Sequence, residues 1–549
     1  MSPQWDRSVD LLIAGSGGGG MVAGLAALDC GLEPLIIEKQ SLVGGSTGLS
    51  GGIVWLPNNP LMRADGIADS HEDGLAYLAD VVGDIGAASS PERRETFLRA
   101  GHEMINFLTR KGVRLIRCAG WSDYYPNHKG GNASGRAVEG IPFDAAQLGD
   151  WRDKVQPPLA KNYGYVVLTN ELRSVQYFNR SPRAFAVAAR VFLRTAAARA
   201  RRRQILTNGA SLIGQMLKAL MDLSDGHPPL WTNAAMADLV VEDGRVVGAR
   251  IVRDGTPLHV EARKGVLLAA GGFGHNKEMR RRYSGDQPNE GQWSIANAGD
   301  TGEALEAAMR LGAKTDLLDE AWWFPAIQWP DGRMQFMLNE RMMPAQFIVN
   351  GAGQRFINEA APYMDFGHAM IEGQRSGVTH IPCWLITDHR SFNRYVIGGH
   401  LPIPKIPFAP VPTGRKVPPA WLESGVVKEA MTWEEMATKI GVPAGQLAET
   451  AGRFNELART GHDDDFNRGD SVYDNYYGDH TLPNPNLYPL GDPPYYAFRI
   501  VLGDLGTSGG LRTDEHARVL RTDDTVVPGL YAVGNPSAPV MGRRTGASR

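Results

Sequence analysis

The chain has 549 residues, with 57 Lys and Arg against 60 Asp and Glu and a formal net charge of −3. That balance gives no electrostatic ground for a nucleic-acid partner or a strongly anionic membrane, and 43% hydrophobic with 21% charged residues excludes a disordered chain. Gly is in excess, 65 residues or about 12% against a usual ~7%, and much of the excess sits in short clusters where backbone can approach a ligand.

The first predicted element is the apolar run Val9 to Ala14, a buried strand. Gly15 to Gly20 follow, then a helical run from Met21 to Cys30 with Gly31 as its stop, then a second strand, Leu35 to Glu38. The pattern from His71 to Arg114 is helical, and Ala119 to Tyr163 is rich in loops. Ser181 and Pro182 open a helix that runs to Arg203, whose closing arginines suit a solvated helix C-terminus. A helix over Ser211 to Leu223 precedes a hairpin, with Asp243-Gly244 turning between Asp238–Glu242 and Arg245–Val252. Gly265 to Gly272 and Leu530 to Asn535 are further short apolar strands ending in glycine. Composition shifts near Asp286, and the stretches around 400–420 and 460–485 read as loops. Cys30, Cys118 and Cys383 are odd in number and far apart, so no disulfide framework is expected and a reducing, cytoplasmic setting is. Met1 to Asp10 carry no basic region leading into an apolar stretch, and no apolar run approaches the ~18 residues of a membrane span.

Gly15-x-Gly17-x-x-Gly20 lies between a strand and a helix, the context in which this spacing binds a dinucleotide. The first glycine permits the tight turn, the second lets backbone approach a pyrophosphate, and the third lets helix and strand pack closely. Glu38, at the end of the second strand, suits a ribose diol. Gly44-Gly45-Ser46-Thr47 and Gly48 to Gly52 follow at once, a run along which a long cofactor can lie, and this favours FAD over NAD. Gly48-x-Ser50-x-Gly52 also fits the nucleophile-elbow spacing of serine hydrolases, but no strand-like segment leads into it. The histidines are scattered without metal-binding spacing, so no metal is expected.

Several further segments add to the cradle: Trp55 to Asn59, Asp123-Tyr124-Tyr125-Pro126, Gly299 to Gly302, Asp319 to Trp323, Val349-Asn350-Gly351 with Arg355 to Glu359, Gly503 to Thr507 and Gly529 to Asn535. Over nearly its whole length the chain resembles the flavoproteins that include fumarate reductase and the 3-ketosteroid dehydrogenases, and among them the Δ1-dehydrogenases most. The resemblance implies an α/β fold: a Rossmann-like FAD-binding domain made from both chain ends, residues 1–288 and 489–549, around a central α+β catalytic domain, 289–488. It implies FAD contacts from Gly15, Ser16, Gly17, Gly20, Glu38, Lys39, Gly45, Ser46, Thr47, Ser50, Gly51, Gly52, Ala235, Ala270, Gly271, Gly272, Gly534 and Asn535.

The implied reaction removes two hydrogens from the A ring of a 3-keto-4-ene steroid, a proton from C2 to a tyrosine and a hydride from C1 to flavin N5. Tyr363 matches the base and Tyr124 the tyrosine that supports it, with Tyr125 as its neighbour and competitor. Trp121, Tyr125, Phe324 and Phe336 are the implied substrate wall. Arg333, Arg341 and Arg355 leave room for the carboxylate clamps of a fumarate-type enzyme, although Arg355 reads as structural. A Δ4-dehydrogenase, a fumarate-type enoate reductase and an inactive flavin-binding homologue remain the alternatives. The implied partners are an apolar steroid and an electron acceptor that the residues do not identify, with peripheral membrane contact compatible and nucleic acid not expected. After Gly542 the residues Arg543 to Arg549 depart from the resemblance, which implies a Tyr- and Gly-rich loop and a helix there. The expectation is a weakened carbonyl clamp and weaker flavin binding, with Arg543 or Arg544 able to supply part of the charge.

Overall fold

The protein is described here by a computed structural model covering residues 4–159, 164–178, 180–285, 287–400, 402 and 414–544. The strand Arg7–Ala14 leads into the helix Gly18–Asp29 and returns as Pro34–Ile37, which pairs with it in parallel, Leu11 opposite Pro34 and Ala14 opposite Ile37. Gly31, with φ +70°, lies just past the end of that helix, as the sequence predicts. These strands alternate strictly between two buried faces. Leu12, Ala14, Leu35 and Ile37 join one hydrophobic cluster, while Ile13 and Ile36 join another with Met21, Leu25 and Leu217. Burial on both faces is what a parallel sheet covered by helices requires.

Eight strands form this first sheet, including Leu230–Trp231 beside Pro34–Ile37 and the long strand Thr256–Leu268 beside Arg7–Ala14. The beginning of Thr256–Leu268 pairs antiparallel with Arg245–Arg253, and its end pairs in parallel with Leu530 to Ala532. Both ends of the chain therefore meet in one sheet. Asp243 (φ 48°) and Gly244 (φ 76°) turn the hairpin between Ala234–Glu242 and Arg245–Arg253, the two positive φ values a tight hairpin turn needs.

The second sheet has six strands and is antiparallel, with Tyr495–Thr507 at its centre between Ala321–Gln328 and Cys383–Asp388. Gln346–Val349, Met334–Phe336 and Val427–Ala430 complete it. Tyr495 and Tyr496, which fall within the 489–549 stretch expected in the cofactor domain, are thus hydrogen-bonded into the second sheet. The chain passes back to the first sheet after Thr507.

The helical pattern from His71 to Arg114 resolves into His71–Val82 and Pro91–Arg110. Gly83 (φ 69°) ends the first, and Ser90, accepting from the Arg93 N–H with Pro91 at the first turn, opens the second. Pro182–Ala200 starts as its sequence predicts, the Ser181 hydroxyl accepting from Ala184 N–H at 3.0 Å. The loop expected around 400–420 lies largely outside the described residues.

Candidate active site

A cavity of about 800 Å³ opens along the carboxyl ends of Arg7–Ala14 and Pro34–Ile37, the position at which parallel α/β sheets bind ligands. The three glycines of the first turn play separable parts. Gly15 has φ +109°, and a Cβ there would stand 2.2 Å from the Ala269 carbonyl oxygen. A Cβ on Gly20 would stand 2.0 Å from the Gly15 carbonyl oxygen, so helix and strand meet only because none is present. Gly17 has room within the protein, its nearest neighbour at 3.6 Å being the Thr47 hydroxyl, and it faces the cavity.

The helix that follows starts at Gly17 with no side-chain cap and no acidic residue in its first turn. Gly18 N–H donates to Thr47 Oγ1 at 3.0 Å, and Gly17, Gly18 and Gly19 line the cavity. A helix N-terminus left open in this way is suited to a pyrophosphate. Glu38 is buried, and its Oε2 accepts from the Ser16 hydroxyl at 2.6 Å and the Ser16 N–H at 3.2 Å, which fixes the carboxylate at the cavity edge. Lys39 binds Glu303 at 3.0 Å across the cavity mouth.

Of the sequence-predicted cofactor residues, Gly15, Ser16, Gly17, Glu38, Lys39, Gly45, Ser46, Thr47, Gly52, Ala235, Ala270, Gly271, Gly534 and Asn535 line the cavity. Gly20, Ser50, Gly51 and Gly272 are not part of that lining. Gly20 and Gly272 are packing glycines, a Cβ at Gly272 falling 2.1 Å from the Thr507 hydroxyl. Ser50 donates to the Thr47 carbonyl at 2.8 Å as the end of the short helix Gly45–Leu49, so it stands on no strand-to-helix elbow. Sequence reasoning missed Asn297 and Arg93 and gave Asp300 no role, although all three line the cavity. Asp300 accepts from Ser46 Oγ at 2.9 Å, and its signal was the Gly299-Asp300 motif. Arg93 had none, being one of several arginines in a helical run. The glycine turn, the open helix end, the fixed carboxylate and the cavity's size together fit a dinucleotide.

The two candidate catalytic tyrosines lie in one aromatic cluster. Tyr363 is the first residue of the helix Tyr363–Arg375 and is 3% exposed, as is Tyr124. Their rings meet edge to face with centroids 5.4 Å apart. Phe324 stacks on Tyr363 at 4.5 Å, and Phe336 packs on Phe324 at 4.5 Å. Trp121 packs against Tyr476 and Tyr477, at 4.8 and 5.7 Å. Tyr125 points elsewhere, donating from its hydroxyl to Asp365 at 2.9 Å. The structure thus brings Tyr363, Tyr124, Phe324 and Phe336 together, while Tyr125 is held at the edge.

Two elements join the cluster to the cavity. The strand Ala321–Gln328 carries Trp322, which lines the cavity, and Phe324, two positions on and about 7 Å along the same face of the strand. Trp55 also lines the cavity, and its indole N–H donates to Asp123 Oδ1 at 2.7 Å, immediately before Tyr124. Asp123 is in turn paired with Arg136 at 2.9 Å, and Arg136 with Asp69 at 2.6 Å, all three side chains at most 1% exposed. Burial pushes the Asp123 carboxyl up, to about 6, against the opposing pull of Arg136. Burial also holds Tyr124 well above the usual phenol range, and the neighbouring tyrosines 363, 473 and 477 add to it.

The arginines that left room for a carboxylate clamp are placed as follows. Arg333 binds Asp331 at 2.6 Å in an exposed pair. Arg355 is buried between Glu359 at 2.7 Å and Asp463 at 2.6 Å. Arg341 is fully buried. Near the end of the described chain, Arg543 pairs with Asp319 and Glu320, each at 2.9 Å, and Arg544 with Asp365. The expectation for the segment beyond them falls on residues 545–549, outside the described residues.

The sequence model of a family described as FAD binding domain matches residues 10–548. A 3-oxosteroid 1-dehydrogenase of Mycolicibacterium smegmatis is 40% identical over 98% of this chain and 93% of its own. The chain belongs to this FAD-binding flavoprotein family, which includes the 3-oxosteroid 1-dehydrogenases. A 4-oxocyclohex-2-ene-1-carboxylate 5-dehydrogenase of Sinomonas cyclohexanicum is 33% identical over 97% of this chain and 89% of its own. Among solved structures, a 3-ketosteroid Δ1-dehydrogenase of Sterolibacterium denitrificans, in complex with 1,4-androstadiene-3,17-dione, superposes with a TM-score of 0.88 at 35% identity, covering 98% of this chain and 95% of that one. The fold, the FAD cofactor and an oxidoreductase activity follow as the sequence predicts. Among the described residues, no helix is long and apolar enough to cross a membrane.

Proposed function

We propose that this chain catalyses 1,2-dehydrogenation of a 3-keto-4-ene steroid, with Tyr363 as the base at C2 and Tyr124 supporting it. Residues 1–288 and 489–549 would hold the cofactor, and 289–488 would carry most of the substrate wall. Bound FAD supplies the acceptor for the hydride that leaves C1. The observation that carries the reading is the placement of Tyr363. It sits at a helix N-terminus, whose partial positive charge favours a phenolate, with Tyr124 edge-on and Phe324 stacked over it. Phe324, buried between Tyr363 and Phe336, would back the substrate site with an apolar aromatic layer suited to a flat ring system. Tyr363 Oη then takes the C2 proton while the aromatic wall keeps water from the reacting edge.

Replacing Tyr363 with Phe tests this directly. A lost general base lowers the rate by ~10²–10⁴, so steroid-driven bleaching of the flavin should slow by that factor with flavin still bound. Bleaching at the parent rate would remove Tyr363 from the chemistry.

A second reading, dehydrogenation of a smaller cyclic 4-oxo carboxylate, draws on the 33% identical Sinomonas relative. It needs a cation for the carboxylate; Arg333 and Arg355 are both paired to acids, and Arg341, held by backbone carbonyls without an ion pair, is fully buried and does not line the cavity. Turnover of 4-oxocyclohexanecarboxylate but not of a 3-keto-4-ene steroid would favour it. Peripheral contact with a membrane draws support from the helix Pro182–Ala200. It leaves Phe185, Phe192 and Leu193 at 62%, 62% and 65% exposure, beside arginines 183 and 190. Co-sedimentation with anionic vesicles that is lost in Phe192→Ser would bear it out.

A further inference from the structure

A phenol that must act as a base is poorly served by burial among other phenols. Tyr124 touches Tyr363 on one side and Tyr473 on the other, with the second pair of ring centroids 4.7 Å apart. All three are 3% exposed, and an ionised member would have no water to solvate it.

The same region holds a buried guanidinium of unusual surroundings. Arg341 is 0% exposed. Its Nε donates to the Met337 carbonyl at 2.6 Å, and its Nη1 to the carbonyls of Ala361, at 3.1 Å, and Glu359. Its Nη2 has no hydrogen-bond partner, and neither has the buried hydroxyl of Tyr473. Among the described residues Arg341 forms no ion pair. Burial pushes it down only to about 10, so it is charged at neutral pH.

Of the other charges near it, Arg468 and Asp474 are engaged elsewhere. Arg468 binds Glu359 at 3.1 Å, and Glu359 also binds Arg355. Asp474 accepts from Asn358 and from the Gly469 N–H. Glu340 is buried, with one oxygen accepting from the Gly399 N–H and the other unpartnered; burial pushes it up to about 7, and it and Arg341 act on each other by charge without forming an ion pair. Tyr125 and Tyr477, the remaining titratable neighbours of the tyrosines, are buried too. Arg341 Nη2 and Arg468 Nε both lack a partner, but Arg468 is ion-paired with Glu359, whereas Arg341 is held by backbone carbonyls and its charge acts on both Tyr473 and Tyr124. A buried charge left without a counter-ion is costly unless a negative charge comes to it.

We propose that Arg341, with the Tyr473 hydroxyl, is the positioning charge that makes a phenolate attainable in the Tyr363–Tyr124–Tyr473 cluster. This rests on the reading of Tyr363 as the base. In the proposed step the Tyr363 proton has first gone to solvent. The phenolate then forms its O–H bond with the C2 proton, and the C2–H electron pair becomes the C1–C2 double bond as the hydride leaves C1. Arg341 keeps its proton throughout.

The test follows the pH dependence of anaerobic flavin bleaching, and of hydrogen–deuterium exchange at steroid C2, in the flavin-loaded full chain. Tyr473→Phe, which keeps volume and packing, should move the rising inflection of both rates upward by about one pH unit. Arg341→Met should move it further and lower the rate at neutral pH ~10–100-fold, with steroid affinity little changed, and Arg341→Lys should recover part of the loss. An unchanged inflection in Tyr473→Phe and Arg341→Met, with Tyr363→Phe inactive, would overturn the role of Arg341 and leave the base standing. Should Arg341→Met fail to fold, Tyr473→Phe and Arg341→Lys decide by the same criterion. Tyr363→Phe with the parent profile would instead overturn the base itself.

Discussion

Gly17 and Gly20 stand three positions apart and are glycine for different reasons. Gly20 is required by the protein, since a Cβ there would meet the Gly15 carbonyl at 2.0 Å. Gly17 is not, since it has a φ of −66° and its nearest neighbour would be 3.6 Å away. Gly17→Ala should therefore leave the unfolding free energy of the flavin-free protein within about 0.5 kcal/mol of the parent and weaken FAD binding, measured by fluorescence titration. Gly20→Ala should lower both stability and binding. Equal FAD affinity in Gly17→Ala and the parent would mean the pyrophosphate does not pass over this turn. The spacing of these glycines is legible in the sequence, but the division of labour between them is not. It depends on which carbonyl lies opposite each Cα, and Ala269, 254 residues beyond Gly15, supplies one of those carbonyls.

Elements position the chemistry through buried charge. The segment carrying Trp121, Asp123 and Tyr124 has little regular structure, and Arg136 ties it down by pairing with Asp123 and Asp69 in a site at most 1% exposed. Removing one partner of such a set typically costs ~3–5 kcal/mol because a charge is left buried alone. Arg136→Met should lower the unfolding free energy from denaturant melts by that amount and slow flavin reduction as Tyr124 loses its place; an unchanged unfolding free energy would contradict the assignment.

The Arg355, Glu359, Asp463 and Arg468 cluster fixes the turn before Tyr363 in the same way. Burial alone would raise the Glu359 and Asp463 carboxyls. Arg355 is the main influence holding both below the usual carboxylate range, with Arg468 adding to it. Groups lowered in the folded state stabilise it fully above their unfolded values, ~4, and lose that contribution as pH falls through the folded values. Stability should thus stay level in this respect down to about pH 5 and decline below ~4. Asp463→Asn should make that acid decline shallower in urea melts taken across the range. These anchors are hard to read from sequence because the partners lie far apart along the chain. Arg355 and Glu359 are neighbours in a recognisable segment, whereas Asp463 and Arg468 fall in what reads only as an acidic loop.

At the scale of the whole molecule, segments from both chain ends build one sheet and residues 321–507 build the other, and Tyr363 and Tyr124 lie in the aromatic cluster beside the cavity rather than in its lining. The first sheet was legible because its strands are short apolar runs ending in glycine, next to a phosphate-binding turn. The second was harder. Two of the three partners of its central strand, Tyr495–Thr507, lie more than a hundred residues upstream, and nothing local distinguishes that strand from one of the first sheet. Tyr363 and Tyr124 are 239 residues apart in sequence and 5.4 Å apart by ring centroid. Only resemblance to a known family could pair them in advance.

The measurement that bears most directly on this account is anaerobic addition of a 3-keto-4-ene steroid to the flavin-loaded protein, followed by the absorbance of the oxidised flavin. Bleaching of that band, with one Δ1-unsaturated steroid formed per flavin, is the predicted result. A bound flavin that stays oxidised with the steroid, yet is reduced by 4-oxocyclohexanecarboxylate, would contradict it.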